Sequence, residues 1–236
     1  MTEPTKPLAT GGMSSSGTTT VVKINGPKLD AADKKVLCSA VCHCKAVPNI
    51  GKDGRSLKQT CVSGQLRELD EALGHAGTYK PEVNYDMTKQ PPAPIMDSDI
   101  DTKAHGWLPG WINKYWDTIG EDGNPRPKYK SGRGYVRRPD VVIVKNPNLP
   151  PNQDNIKQVV EIKFPPDIMN DPQREAYETI AGGPQKLVEL EPDDCDCNKP
   201  EPSSSKIPVE HLGKAAAAAG ILYMILTKRP MRVPAY

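Results

Sequence analysis

Residues 136–177 read VRRPDVVIVKNPNLPPNQDNIKQVVEIKFPPDIMNDPQREAY. Within this stretch, two runs rich in β-branched residues, Val141–Val144 and Ile156–Ile162, flank a loop of Pro, Asn and Asp. Apolar β-branched runs separated by turn residues are typical of a β-hairpin. Antiparallel pairing would bring the start of the first strand beside the end of the second, so polar residues at those two points would meet.

Three charged residues lie at that end of the predicted hairpin. Asp140 opens the first strand, and Glu161 and Lys163 close the second. Because Glu161 and Lys163 are two positions apart on a strand, they point to the same face. Neighbouring carboxylates are the hard oxygen ligands that Mg²⁺ prefers, and this ion keeps several waters. A lysine beside such a water can orient or deprotonate it, or neutralise charge that builds on a phosphate.

Each of these residues also has an ordinary structural interpretation. Asp140 would serve as a turn residue, and Glu161 with Lys163 would be a solvated ion pair on a half-exposed strand. The composition of the second strand argues against this interpretation. The apolar residues Val159, Val160 and Ile162 lie close to its end, and Phe164 follows Lys163. A strand this apolar is expected to be buried on both faces, where a Glu and a Lys need partners or a function.

The chain after Lys163 predicts a helix. Asn170 is a suitable N-cap, and Pro172 would lie in the first turn. Gln173 and Tyr177 are four residues apart, so they would share one face of this helix. Residues 182–184, Gly-Gly-Pro, would end it, and a variable acidic loop is expected to continue to Ser205.

The order of these motifs resembles a known group of nucleases. Pro139-Asp140 followed by Glu161-Ile162-Lys163 is similar to the defining residues of the PD-(D/E)xK superfamily. A Gln-x-x-x-Tyr helix after the ExK strand resembles RecB-like members. With Arg-Arg before the Pro-Asp, the combination looks most like a VRR-Nuc domain. The stretches RRPDVVIVK, QDNIKQVVEIKFPPD, EVNYDM and PPAPIM are similar to VRR-Nuc toxins delivered by bacterial type VI secretion systems.

The resemblance implies a fold, a reaction and a set of residues. The fold would be α/β, a restriction-endonuclease-like core in which a central mixed sheet is flanked by helices, with long loops. The reaction would be Mg²⁺- or Mn²⁺-dependent hydrolysis of DNA phosphodiester bonds. The candidate catalytic residues are Asp140, Glu161, Lys163, Gln173 and Tyr177; the candidate metal ligands are Asp140, Glu161 and the backbone carbonyl of Ile162; and the candidate DNA-binding residues are Arg137, Arg138, Arg133 and Lys130.

A third acidic ligand is also implied by the resemblance, because a Glu from the first core helix often completes the metal site in this superfamily. Residues 56–73 have apolar side chains at helical spacing, with Ser56 as the expected cap and Gly74 just past the end. Glu68 and Glu71 on this helix are candidates, and Glu82, at the start of a predicted EVNYDM strand, is another. The sequence does not choose among the three.

The resemblance further implies a biological role. The chain would be an interbacterial toxin that cleaves double-stranded DNA, neutralised in its producer by a cognate immunity protein, with a secretion-apparatus component for delivery. It would be made in the cytoplasm and secreted by a leaderless route into a target-cell cytoplasm. Neither a signal peptide nor an apolar run of membrane-spanning length is present, so no membrane partner is expected. The alternatives are a structure-specific DNA repair nuclease and a non-catalytic nucleic-acid-binding module.

Local charge points to nucleic acid more clearly than total charge does. The formal net charge is +2, which is nearly balanced. Basic residues crowd before Asp140 with Tyr129 and Tyr135 between them: Arg126, Lys128, Lys130, Arg133, Arg137 and Arg138. They would hold a phosphate backbone close to the metal, or else form a solvated basic loop.

An aromatic stripe precedes this basic segment. Trp107, Trp111 and Tyr115 recur every four residues, and Trp116 follows directly. Aromatic side chains at helical spacing usually pack in a core, so burial is the expectation. Stacking on unpaired bases is the alternative.

The cysteines admit three interpretations. They are Cys38, Cys42, Cys44, Cys61, Cys195 and Cys197, and they include two C-x-C pairs. Those two pairs would supply four thiolates to a structural Zn²⁺. An even number of cysteines in an exported protein is equally compatible with disulfides, and free thiols are the third interpretation. None is expected to be catalytic, since no partner signature accompanies any of them.

The expected organisation is a disordered tail or linker over residues 1–30, rich in Thr, Ser, Gly and Pro, followed by a single nuclease domain over residues 31–236. The catalytic core would span about residues 131–182. A last helix opening at Pro208 and a last strand at residues 221–227 would complete the sheet.

Overall fold

The computed structural model describes residues 26–46, 57–116, 123 and 125–197. The helices are α1 (Ala31–Ala46), α2 (Lys58–Ala72), α3 (Leu108–Tyr115) and α4 (Asp171–Ala181). The strands are β1 (Tyr79–Pro81), β2 (Tyr85–Asp86), β3 (Ala93–Pro94), β4 (Val136–Arg137), β5 (Val141–Val144), β6 (Ile156–Ile162) and β7 (Leu187–Leu190). Most of the predicted tail, the helix at Pro208 and the strand at 221–227 lie outside the described residues.

The predicted hairpin forms the centre of a four-stranded mixed sheet. β5 pairs antiparallel with both β1 and β6, whereas β7 runs parallel to β6, giving the order β1-β5-β6-β7. A second, smaller antiparallel sheet has the order β3-β2-β4. β4 ends shortly before β5, so the small sheet lies next to the end of the hairpin that carries Asp140.

Helices cover both faces of the four-stranded sheet. On one face, Ile143 and Ile162 pack in a cluster with apolar residues of α1 and α2. On the other face, Val159 packs with Tyr177 and Ile180 of α4. The expectations of an α/β protein with a mixed sheet between helices, and of a β6 buried on both faces, are therefore confirmed.

Helix α1 and strand β7 were missed by the sequence analysis. α1 buries Val36, Leu37 and Val41 against the sheet, so the predicted first core helix is the second helix of the described chain. β7 lies within residues that were expected to form a variable loop. The predicted Ser56 cap is also wrong: the N-cap position of α2 is Leu57, which makes no side-chain capping bond.

All six cysteines form disulfides. Cys38 is bonded to Cys195, Cys42 to Cys197, and Cys44 to Cys61. Helix α1 supplies one sulfur to each bridge, so it is tied both to α2 and to the segment that follows β7. The structural zinc and free-thiol interpretations are therefore wrong, because no thiolate is left to bind a metal.

Helix α3 is not part of either core cluster. It contains no buried residue, and Trp107 beside it is 66% exposed. The expectation that the aromatic stripe would be buried is wrong. Among the described residues, no helix is both long and apolar enough to cross a membrane.

Candidate metal centre

The register of the hairpin brings Asp140 and Glu161 together. Val141 lies opposite Val160, so the residues just outside this pair are Asp140 and Glu161. The backbone N–H of Ile162 donates to Asp140 Oδ2 at 2.8 Å, and the N–H of Asp140 donates to Glu161 Oε2 at 3.4 Å. The predicted meeting of the two carboxylates follows directly from this pairing.

Lys163 joins the same cluster. Its Nζ lies 2.9 Å from Glu161 Oε1, and the two side chains are only 6% and 3% exposed. The N–H of Lys163 donates to the carbonyl of Leu190 in β7 at 3.0 Å, which extends the parallel pairing past the end of β6. The backbone of Lys163 is therefore held by β7, and its ammonium group is held by Glu161.

Helix α4 forms with the predicted boundaries. The Asn170 side chain accepts from the N–H of Gln173 at 2.9 Å, Pro172 lies in the first turn, and Gly182 ends the helix at φ 80°. A positive φ suits glycine because a side chain would crowd the backbone there. This cap fixes the first turn of α4, where Gln173 is located, over the end of β6.

Gln173 and Tyr177 complete the cluster. Gln173 Nε2 donates to Glu161 Oε1 at 2.7 Å, and Gln173 Oε1 accepts from Lys163 Nζ at 3.3 Å. The Tyr177 hydroxyl lies 3.3 Å from Gln173 Nε2 and donates to the carbonyl of Arg138 at 2.8 Å. The side chains of Glu161, Lys163, Gln173 and Tyr177 thus form one hydrogen-bonded network, which Asp140 joins through its backbone N–H.

Burial controls the charge state of this network. Desolvation, reinforced by the charge of Glu161, raises the pKa of Asp140 to about 7. Desolvation also raises the pKa of Glu161, although Lys163 opposes it. Burial alone would lower the pKa of Lys163, but the hydrogen bonds and negative charges of Glu161 and Asp167 together outweigh burial and raise that pKa. The centre therefore holds two mutually repelling carboxylates and one stable cation.

Glu82 is the nearest of the three candidates for a further acidic ligand. Its N–H donates to the carbonyl of Asp140 at 3.0 Å, and its charge contributes to raising the pKa of Asp140. Its carboxylate pairs with Arg67 and lies 3.4 Å from Arg138. Glu82 does not begin a strand as predicted; it lies between β1 and β2 with φ 49°. Glu68 and Glu71 are exposed on α2.

The donor set at this end of the hairpin fits a hard divalent cation of the Mg²⁺ type. Within the described ranges, no group of three or more His, Cys, Asp or Glu side chains is arranged to hold a metal. Mg²⁺ is commonly bound through one or two carboxylates together with waters and substrate phosphates. Asp140, Glu161 and a backbone carbonyl are such a set.

Two further polar residues contact the centre, and neither was among the site residues predicted from the sequence. Gln59, at the start of α2, donates from Nε2 to the carbonyl of Ile162 at 2.7 Å. Asp167 lies 3.4 Å from Lys163 Nζ and 3.5 Å from Gln59 Nε2. Asp167 is visible in the sequence as the acid that follows Pro-Pro after the ExK motif. Gln59 carries no such signal, because it is 103 residues from Ile162.

Of the candidate DNA-binding residues, Arg137 and Arg138 interact with Tyr177 of this centre. Arg138 is exposed, and the Arg137 charge acts on the Tyr177 hydroxyl, whose pKa is nevertheless raised, mainly by burial. Lys130 and Arg133 are exposed in the loop before β4. Arg126, which was grouped with them, has a structural role instead. It pairs with Asp86, its side chain is almost completely buried, and it is stacked over Trp116.

Comparison with known proteins adds no relative to this picture. No family model matches the chain, no curated protein matches it, and no solved structure matches it. A function for this chain must therefore be argued from the residues of the site and from the motifs that they form.

Proposed function

We propose that this chain is a divalent-metal-dependent DNA endonuclease of the PD-(D/E)xK superfamily, related to the VRR-Nuc family. One observation carries the proposal: Asp140, Glu161, Lys163 and Gln173 form a single network at one end of the hairpin. Their motif order is that of the superfamily. Glu161 and Lys163 are buried and Asp140 is partly buried. This burial is costly because it disfavours the charged forms, and charged groups kept in such surroundings often belong to functional sites.

In this proposal Asp140, Glu161 and the carbonyl of Ile162 hold Mg²⁺ or Mn²⁺. When bound, such an ion lowers the pKa of a coordinated water and polarises the scissile phosphate. Asp140 is oriented by the N–H of Ile162, and Glu161 is oriented by the Gln173 amide. The two carboxylates are therefore held in position before any metal arrives, which is the preorganisation that metal sites require.

Lys163 acts as a cation in this mechanism. Its raised pKa keeps the ammonium protonated at neutral pH, so it is poorly suited to removing a proton from water. A protonated Nζ can orient the attacking water and neutralise charge that develops on the phosphate. Gln173 holds this ammonium beside Glu161 through its Oε1 atom. Of the two roles suggested by the sequence, we favour orientation and charge stabilisation.

Arg138 and Arg137 would hold the DNA backbone. Arg138 is exposed and lies beside Glu82, at the end of the hairpin that carries Asp140. A guanidinium in this position can form paired hydrogen bonds with phosphate oxygens. Lys130 and Arg133 extend the basic surface along the loop before β4.

The biological role that we propose is an antibacterial toxin exported by a type VI secretion system and neutralised by an immunity protein. Its support is the sequence resemblance, together with three disulfides. Disulfides are rare in cytosolic proteins and common in exported ones. They favour an exported chain over a cytosolic repair nuclease, whereas the type VI route rests on the resemblance alone. Co-expression with the product of a neighbouring small gene should rescue growth if the toxin proposal is correct.

Metal removal tests the enzymatic proposal. The purified chain should nick supercoiled plasmid DNA in the presence of Mg²⁺ or Mn²⁺, because the proposed reaction depends on an ion held by the two carboxylates. Excess EDTA should abolish nicking, and added Mg²⁺ should restore it. The measurement is the conversion of supercoiled to relaxed plasmid on a gel. Nicking that continues in EDTA would refute the metal assignment, and no nicking with any divalent ion would refute the nuclease.

Gln59 is predicted to tune metal affinity. Gln59→Leu removes the donor that orients the Ile162 carbonyl, so the Mg²⁺ concentration for half-maximal nicking should rise about 10-fold. The rate at saturating Mg²⁺ should stay close to that of the wild type. Gln158→Leu is a matched control, because Gln158 lies on β6 and its amide bonds the distant carbonyl of Lys28. Equal Mg²⁺ dependence in the two variants would contradict a positioning role for Gln59.

A further inference from the structure

Four aromatic residues form a surface outside both core clusters. Trp107, Trp111, Tyr115 and Trp116 make up this aromatic surface, which is formed by α3 and its two flanking residues. Trp107 is 66% exposed and Tyr115 is 40% exposed. The Trp111 ring centre lies 5.9 Å from that of Tyr115 and 6.5 Å from that of Trp116. Large aromatic side chains exposed together usually mark a binding surface.

Trp116 is the member of the aromatic surface that is held by neighbouring polar groups. The Trp116 indole N–H donates to the carbonyl of Pro127 at 3.0 Å, and the Arg126 guanidinium lies 3.9 Å from the Trp116 ring centre. Arg126 is in turn paired with Asp86 of β2. Trp116 is therefore an anchor, and Trp107 and Tyr115 are the outer members of the surface.

A short connection joins this surface to the candidate metal centre. The ring centre of Trp116 lies 5.0 Å from that of Tyr129 and 6.0 Å from that of Tyr135. Tyr135 directly precedes β4, and the chain then continues to Asp140. Five residues span at most about 16 Å, the length of a fully extended chain. One flexible polymer can therefore contact both places.

The described segments that carry the aromatic surface and follow it have a positive charge. The described segments 102–116 and 125–139 contain no Asp or Glu. Their exposed cations include Lys114, whose Nζ lies 4.7 Å from the Tyr115 ring centre, together with Lys128, Lys130 and Arg133. Asp117, Glu121 and Asp122 occur between the two segments, outside the described residues. Aromatic side chains among cations match the bases and phosphates of an unpaired nucleic-acid strand.

The packing of Trp107 also suits stacking. A Cβ added to Gly110 would come within 2.2 Å of the Trp107 ring, so the ring lies directly over this glycine. Glycine at this point lets the ring lie close to the helix, and most of the indole stays accessible. A base can stack on such a ring regardless of its identity, because every base has a π-face.

We propose that the aromatic surface binds an unpaired DNA strand, and that Lys114, Lys128, Lys130 and Arg133 hold its phosphates. The strand would continue along β4 towards Asp140, which would direct cleavage to DNA next to an unpaired segment. The binding step stands on the aromatic surface alone. The cleavage preference rests on the proposed nuclease function.

Fluorescence anisotropy in EDTA measures binding without cleavage. Wild-type chain should bind a labelled single-stranded oligonucleotide, and Trp107→Ala and Tyr115→Ala should each weaken this binding about 10-fold. Trp107→Phe and Tyr115→Phe should retain most of the affinity, since a stacking ring remains. Gly110→Ala should weaken binding without removing an aromatic ring. Leu149→Ala is the control, because Leu149 is 50% exposed in the loop between β5 and β6.

The outcomes separate this inference from the proposed function. Unchanged strand affinity in the two alanine variants would overturn the inference, even if the surface then proved to bind a protein. Loss of strand affinity with an unchanged melting temperature would support it, even if the wild type never cut plasmid. In an active enzyme, the same variants should lose their preference for DNA with an unpaired arm over fully paired DNA. Equal preference in variants and wild type would overturn the link to cleavage.

Discussion

Asp140→Asn is expected to lower the rate of Mg²⁺-dependent plasmid nicking by at least about 1,000-fold, since it removes one of the two charged ligands proposed for the metal. The variant should stay folded, because an amide oxygen can still accept from the N–H of Ile162. The same substitution removes a buried negative charge beside Glu161. We therefore expect loss of activity without loss of stability.

The sign of the stability effect can be derived from the pKa of Asp140. Its ordinary value is 3.8 and its value in the fold is about 7, so the folded state binds the proton more tightly than the unfolded state. The ionised carboxylate therefore destabilises the fold increasingly as pH rises from about 4 to 7. At pH 8, Asp140→Asn should raise the melting temperature in EDTA, whereas near pH 4 the two proteins should melt alike.

Lys163→Met provides a second test of the same centre. It leaves Glu161 buried without its cation, so the nicking rate should fall about 100-fold or more and stability should fall as well. Asp154→Asn and Lys145→Ala are matched controls at the opposite end of the hairpin, where Lys145 Nζ bonds the carbonyl of Asp154 at 2.6 Å. If Asp140→Asn or Lys163→Met cuts DNA as fast as its control, the assignment of this centre is wrong.

The second large effect concerns the two long-range disulfides, Cys38–Cys195 and Cys42–Cys197. They close nearly the same loop, with sequence separations of 157 and 155 residues. Removing one leaves the other to hold the same ends together. By chain entropy, removing either bridge should lower the free energy of unfolding by about 2 kcal/mol, and removing both should lower it by about 7 kcal/mol.

Pairwise Cys→Ala variants without free thiols test this non-additivity by urea denaturation under non-reducing conditions. A loss of about 7 kcal/mol is comparable to the whole stability of many domains, so the chain without both bridges should be largely unfolded at 37 °C. Removal of Cys44–Cys61, which spans 17 residues, should cost about 3 kcal/mol and should add to the other effects. Strictly additive losses from the two long-range bridges would contradict the shared-loop argument.

The parts of the fold that the sequence predicted are those with strong local signals. The β-branched runs of β5 and β6, and the capped helix α4 with Asn170, Pro172 and Gly182, are specified by neighbouring residues. Once the hairpin forms, the register places Asp140 beside Glu161. The meeting of Asp140 and Glu161 was therefore predictable from short stretches of sequence. A catalytic role for these residues rests on the resemblance and is part of the proposed function.

The parts that were missed depend on contacts between distant residues. Helical periodicity alone cannot tell whether a stripe has a neighbour to pack against, so the exposure of α3 was not predictable. Gln59 reaches Ile162 only through tertiary folding, and the position of Glu82 depends on a positive φ that a Glu rarely adopts. Six cysteines allow 15 pairings by combinatorics, so composition could not select the observed one.

The two long-range bridges also determine how this molecule would respond to mechanical force. Tension applied to the chain before residue 38 and after residue 197 passes through the sulfur atoms instead of through the hydrogen bonds of the sheet. The strands that carry the candidate metal centre then bear almost no load. An oxidised chain drawn by its ends through a narrow pore would therefore jam with residues 42–195 still folded, and threading would require reduction first.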